Sequence, residues 1–386
     1  MAVERTLPTP EGEDLLGLVR DLAGKEIAPR AAEGEERAEF PRDLFRLLGS
    51  SGLLGLPYPS EYGGGDQPYE VYLQVVEELA SAWLAVGLGL SVHTLSCYPV
   101  ASSGSPELKD RLLPDMLGGG LLGAYCLSEA HSGSDASALS TRAVADPSAP
   151  ADGYTVEGAK SWITHGGAAD FYTLFARTGG PGASGISCLH VPADTPGVAA
   201  DAPERKMGMS ASPTAVVRFD GVRVPADALV GEEGSGFSIA LSALDSGRLG
   251  IAACAVGVAQ AALDAAVEYA KERRQFGRAI AEHQGLSFML ADMATKVEAS
   301  RELYLAAARR RDAGRPFGTQ AAMAKLFATD TAMQVSTDAV QVFGGYGYTR
   351  DFPVERYMRE AKVLQIVEGT NQIQRMVVGR SLTGDR

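Results

Sequence analysis

Apolar residues in the C-terminal third of the chain recur with a helical period. Tyr357, Ala361, Leu364 and Val367 fall at i, i+4, i+7 and i+10, and Ile373, Met376 and Val377 share a face further on. Gly369 interrupts the two runs, and Thr370 is a candidate N-cap for the second. Glu368 therefore stands at a helix break beside Ile366 and Val367. Desolvation there would raise its pKa toward the range that suits a general base near neutral pH. The competing reading is a surface glutamate that ends a helix.

The same patterning divides the whole chain into three expected domains. Residues 1–117 are mainly helical: Leu15–Ile27 and Pro41–Leu48 are amphipathic, and Tyr69–Ser91 reads as a long helix broken near Gly87. Proline and glycine mark 58–68 as a loop, and 106–114 as a short helix ended by Pro114. Over 118–229 the pattern changes to short β-branched and aromatic runs at 153–156, 171–175, 185–191, 215–219 and 222–224. These predict a small antiparallel β-domain, a barrel or sandwich. Over 230–386 the helical period returns, with helices expected at 238–270, 282–311, 317–342, 352–367 and 371–380, joined by short connections into a bundle. The fold class expected is α+β and multi-domain.

Composition narrows the function classes. The 386 residues are 45% hydrophobic and 22% charged, and 35 basic against 48 acidic side chains give a net charge of −13. A dispersed acidic surface argues against non-specific nucleic-acid binding. The longest apolar run, Leu249–Leu263, already contains Gln260 and reads as a buried helix, so no membrane span is expected. The amino terminus shows no apolar h-region of a signal peptide. Cys97, Cys126, Cys188 and Cys254 lie far apart, and the five histidines lack ligand spacing, so no metal is expected and a cytoplasmic setting is the default.

Four stretches carry candidate chemistry. Tyr125–Asp135 gathers Ser128, Ser132 and Ser134 around Gly133, a turn able to bind polar oxygens. In Gly158–Gly167, strand alternation would put Trp162 and Thr164 on one face, where they could stack on and hydrogen-bond a flat heterocycle. Arg273 and Arg274 follow a long helix and either complement its dipole or face a pyrophosphate. Gln341–Tyr348 is a glycine turn that permits close backbone approach but lacks the Lys-Ser/Thr of a P-loop.

In order and spacing, these stretches resemble the acyl-CoA dehydrogenases, a family of flavoenzymes. The resemblance runs from Pro57-Tyr-Pro-Ser-Glu-Tyr-Gly-Gly64 to Arg380. Its two signatures are Cys126-Leu-Ser-Glu-x-x-Ser-Gly-Ser-Asp135 and Gln341-x-x-Gly-Gly-x-Gly-Tyr348, the latter continuing through Val354-Glu-Arg-Tyr-Met-Arg359. Between and after them fall Trp162-Ile-Thr164, Leu244-Asp-Ser-Gly-Arg248, Arg273-x-x-Phe-Gly277 and Glu368-Gly-Thr370.

The resemblance implies an N-terminal all-α domain, a middle β-barrel or sandwich, a C-terminal four-helix bundle, and FAD as cofactor. Tyr125, Leu127, Ser128, Gly133 and Ser134, with Trp162, Ile163 and Thr164, would hold the isoalloxazine, Thr164 near flavin N5. Arg273, Phe276, His283 and Gln284 of one subunit, with Gln341, Gly344 and Gly345 of a neighbour, would clasp the pyrophosphate and adenosine. Thr370 and Gln372 would contact the same cofactor. Ser134, Asp245, Arg248 and Gly369 would line the acyl-CoA channel. Glu368 would remove the α-proton while flavin N5 accepts the β-hydride. Some members carry the base just before the arginine of Asp-x-x-Arg, but here that residue is Gly247, so the base is Glu368 or there is none.

The implied partners are an acyl-CoA substrate, an electron-transfer flavoprotein and further copies of the chain in a homotetramer or dimer of dimers. An acyl-carrier-protein dehydrogenase, an acyl-CoA oxidase and an idle flavin-binding assembly partner are the alternatives. The chain departs from the family pattern at Ala130-His131, at His165 and at Lys206–Ser210, where an arginine is usual. Both histidines are expected in solvated loops.

Overall fold

The computed structural model describes residues 3–145 and 153–384. Six helices come first: α1 (Pro10–Leu22), α2 (Ala28–Arg37), α3 (Arg42–Ser50), α4 (Tyr69–Ala82), α5 (Leu84–Ser103) and α6 (Pro106–Leu117). The start of α1 shows why: Thr9 caps the Gly12 N–H, Pro10 presets the first turn, and Glu11 and Glu13 face the positive end of the dipole. The break predicted near Gly87 lies instead at Trp83, whose extended backbone separates α4 from α5. Its buried indole donates to Glu35 Oε1 at 2.9 Å, fixing the corner. Gly87 has a different task. A Cβ there would lie 2.6 Å from the Ala80 backbone, so this glycine lets α4 and α5 pack closely. Nor does Pro114 end its helix, because burial of Leu113, Met116 and Leu117 carries α6 one turn further.

The middle of the chain forms a sheet of β1 (Gly123–Cys126), β2 (Arg142–Ala145), β3 (Tyr154–Thr164), β4 (Phe171–Arg177), β5 (Ile186–Pro192), β6 (Val198–Ala200), β7 (Thr214–Val224) and β8 (Leu229–Val230). The strand order is β6-β7-β3-β2-β4-β5-β8, with β1 also beside β4. The sheet is mixed rather than purely antiparallel, since β4 pairs parallel with β1 and, at one position, with β2. The two runs at 215–219 and 222–224 are one strand, β7, which pairs antiparallel with β3 across two register shifts.

The last part comprises α7 (Gly236–Glu272), a hairpin of β9 (Arg274–Gln275) and β10 (Arg278–Ala279), α8 (Gln284–Asp312), α9 (Gly318–Phe343), α10 (Val354–Leu364) and α11 (Asn371–Thr383). The facing sides of α7 and α9 are built from fully buried alanines, among them Ala252, Ala259, Ala266, Ala324, Ala328 and Ala332. Small side chains let the two helix axes approach. Helices α5 and α7 are long and apolar enough to cross a bilayer, but 89% and 72% of their most apolar windows are buried inside the fold. A buried ion cluster ties the parts together: Glu77 on α4 accepts from Arg5 at 2.8 Å and from Arg301 on α8 at 3.0 Å.

Candidate active site

The site grows from the break between α10 and α11. Thr370 Oγ1 accepts from the Ile373 N–H and caps α11, as the sequence predicts. The turn before it is left-handed at two successive residues, Glu368 (φ +51°) and Gly369 (φ +88°). Glycine accepts that geometry freely, whereas for glutamate it costs about 1–2 kcal/mol. Two side chains on neighbouring helices hold it. Gln374 Nε2 donates to the Gly369 carbonyl at 2.8 Å and to the Glu368 carbonyl at 3.3 Å. Lys325 Nζ, from α9, donates to the Gly369 carbonyl and to Asn371 Oδ1, each at 2.9 Å.

The strained turn sends the Glu368 side chain inward. Both carboxylate oxygens are buried, and neither has a hydrogen-bond partner among the described residues. The surface-glutamate reading therefore fails. Burial pushes the carboxyl up to about 7, against the opposing pull of Lys325 and Arg248. The carboxylate lies against Gly247 of α7, where a Cβ would come 2.1 Å from Glu368 Oε2. One residue along, Arg248 is buried and pairs with Asp245 Oδ1 at 2.6 Å. A small cavity beside Gly247 is walled by Tyr58, Tyr69, Leu95, Tyr98 and Arg311.

The segment after β1 forms a second wall. Tyr125 is half-buried and donates to the Ala240 carbonyl on α7 at 3.2 Å. The Leu127 carbonyl accepts from Lys160 Nζ at 3.0 Å, and the Ser128 carbonyl accepts from the Ser161 N–H at 2.9 Å. A buried Glu129–Lys160 pair at 2.8 Å pins this loop and leaves Gly133 and Ser134 exposed at its tip. On β3 a bulge between Lys160 and Ile163 gives Trp162 a φ of +63°. Its indole is 63% exposed, Ile163 is buried and Thr164 half-buried. A strained, outward-facing tryptophan is a ready platform for a flat ring.

A third element lies at the far end of α7. Arg273, Gly344 and Gly345 line one cleft of about 570 Å³ with Tyr269, Gln275 and Tyr346. The resemblance divides these residues between two subunits, whereas here both walls belong to one chain. Phe276 (φ +52°) is 94% exposed on the adjoining hairpin, and its ring meets His283 edge-on. Gln284, Gln341 and Gln372 are exposed.

The histidine expectations divide. His131 is exposed, as predicted. His165 is fully buried between Phe40 and Phe45, with Nδ1 2.9 Å from the Gly123 carbonyl, and burial pushes it down to about 4. It is a neutral packing residue at the strand end.

Three family models match in order along the chain: the acyl-CoA dehydrogenase N-terminal domain over residues 9–120, the middle domain over 124–222 and the C-terminal domain over 234–383. The chain belongs to the acyl-CoA dehydrogenase family. An acyl-CoA dehydrogenase of Bacillus subtilis is 47% identical over 369 residues, covering 95% of this chain and 96% of the relative. Butyryl-CoA dehydrogenase from Megasphaera elsdenii superposes with a TM-score of 0.95 at 42% identity, over 99% of this chain and 100% of that one. A chain in a solved structure of the electron transferring flavoprotein of Acidaminococcus fermentans gives a TM-score of 0.95 at 43% identity, over 98% and 99%.

This dehydrogenase is accordingly an oxidoreductase with FAD as its cofactor, and its residues fit that group. Trp162 offers an exposed aromatic face, and the Arg273 cleft offers a cation beside glycines whose added Cβ atoms would meet open space. Sequence reading missed Lys325, Gln374 and Lys160. For Lys325 a signal exists: a lysine on the alanine face of α9, with Ala321, Ala324 and Ala328, is a charge where packing calls for none.

Proposed function

We propose that this dehydrogenase converts a short saturated acyl-CoA to the trans-2-enoyl-CoA, with Glu368 as the base that takes the α-proton. The observation that carries the reading is the Glu368 carboxylate, buried and unpartnered, with a pKa near neutrality. Such a group is ionised enough to act and basic enough to matter. A thioester α-proton is weakly acidic, so the developing enolate oxygen needs donors. The Glu368 N–H donates to no protein acceptor among the described residues, which supports it as one such donor.

FAD, when bound, supplies the acceptor for the β-hydrogen, which leaves as hydride. Tyr125, Leu127, Ser128, Gly133, Ser134, Trp162, Ile163 and Thr164 would orient its ring. Ser134, Asp245, Arg248 and Gly369 would line the thioester channel. The tyrosine-walled cavity beside Gly247 leaves little room for a long chain, which supports a short acyl group, as does the similarity to a butyryl-CoA dehydrogenase. Similarity to a chain from an electron transferring flavoprotein structure supports such a flavoprotein as electron acceptor.

The length of α7 supports a site shared between copies. From Gly247 to Arg273 the helix rises about 39 Å, at about 1.5 Å per residue. An extended dinucleotide is shorter than that. The Arg273 cleft would therefore serve the flavin of a second chain, whose ring lies at that chain's own Glu368.

Anaerobic titration with butyryl-, octanoyl- and palmitoyl-CoA, followed by flavin absorbance, tests the reading. Bleaching by butyryl-CoA and none by palmitoyl-CoA is expected. Bleaching only by a carrier-protein thioester would move the assignment to that substrate, and rapid reoxidation of the bleached protein by air would mark an oxidase.

A further inference from the structure

Resting on Glu368 as the base, we propose that Lys325 is a positioning residue for it: a buried ammonium that locks the left-handed turn aiming the carboxylate and supplies the positive charge that lets the carboxylate ionise. Lys325 is fully buried in the N-terminal third of α9, and its two hydrogen bonds go to the turn carbonyl of Gly369 and to Asn371 at the start of α11. Tilting the turn would break the first bond. The ammonium is thus a mechanical tie between a rigid helix and the one backbone segment that carries the base.

The electrostatic part follows from what surrounds Glu368. Within reach are Lys325 from α9, Arg248 and Cys254 from α7, Tyr69 from α4 and Tyr125 from β1. Burial raises the thiol and both phenols, so they stay neutral at working pH. Arg248 is already paired with Asp245. Lys325 has no ion-pair partner among the described residues, and Asp330, which also draws on it, is engaged by Arg375, Asn371 and Gln365. The charge of Lys325 is therefore directed chiefly at Glu368. Burial pushes its own pKa down to about 8, against the pull of Glu368 and Asp330, so the ammonium persists at neutral pH.

Two readouts test this: the pH profile of kcat/KM, and exchange of the substrate α-proton with D2O, which reports proton abstraction directly. Wild type should show an acid limb near pH 7. Lys325→Gln keeps a donor but removes the charge, and its limb should move up by at least one pH unit, cutting exchange about tenfold at pH 6.5. Lys325→Arg restores the charge and should bring the limb back. Gln374→Leu loosens the turn without changing charge, and should lower the plateau with the limb unmoved. The proposal is overturned if the glutamine and arginine variants share the wild-type limb, or if only melting temperature changes. Exchange surviving in Glu368→Gln would instead sink the base assignment itself, so the two failures are separable.

Discussion

Glu368→Gln is expected to lower kcat by about 10³–10⁴-fold, the upper range for removing a general base. Glutamine has nearly the same shape, so the turn and the flavin content should be unchanged. Acyl-CoA should still bind, but it should no longer bleach the flavin. The same variant has an opposite effect on stability. The folded carboxyl titrates at about 7 against an ordinary 4.5. A raised folded pKa means that the folded state favours the protonated form. The cost of burying the ion is absent below pH 4.5, grows as pH rises toward 7 and is complete above it. The glutamine variant should therefore melt higher than wild type at pH 8 and equally at pH 4. The gain is at most about 3 kcal/mol, a net figure that already includes the pull of Lys325 and Arg248 on the carboxylate. Unchanged turnover would refute the assignment of the base, and a higher melting point at both pH values would refute the account of its burial.

Gly247→Val is the second large effect. A Cβ at that position would overlap Glu368 Oε2 at 2.1 Å and crowd Leu95 Cδ1 at 3.2 Å. Either the carboxylate swings away or α7 shifts, and both misplace the base relative to the α-carbon. Misplacement by about 1 Å costs about 10²-fold, so kcat should fall at least that far with flavin retained. A double-mutant cycle isolates the cause: added to Glu368→Gln, the valine should cost little further, because the group it displaces has already been neutralised. A single variant with wild-type kcat would show that Gly247 is only a packing residue.

Much of this architecture was readable in the residues because local chemistry and tertiary structure agree. The Thr370 cap and the alternation of helical and strand periods survive in the fold, whereas the helix before Glu368 ends at Leu364 rather than at Val367, so the break is a turn of several residues and not Gly369 alone. What escaped was set by contacts distant in sequence. Trp83 rather than Gly87 breaks the first long helix, because Glu35, on another helix, holds its indole. The parallel β1–β4 pair depends on where the chain returns after two intervening strands. His165 looked like a loop residue, and only the packing of Phe40 and Phe45 around it shows that it is buried. Within the site, Glu368 could be singled out by its place in a broken helix. The room made for it by Gly247 could not, since 121 positions of sequence separate the two.

The span of α7 carries a genetic implication. If one chain owns the base and its neighbour owns the nucleotide cleft, a lesion at Glu368 and a lesion at Arg273 are different injuries. A chain with a dead base still lends an intact cleft, and a chain with a ruined cleft still brings a working base. Two such alleles expressed together would rebuild functioning centres that neither possesses alone.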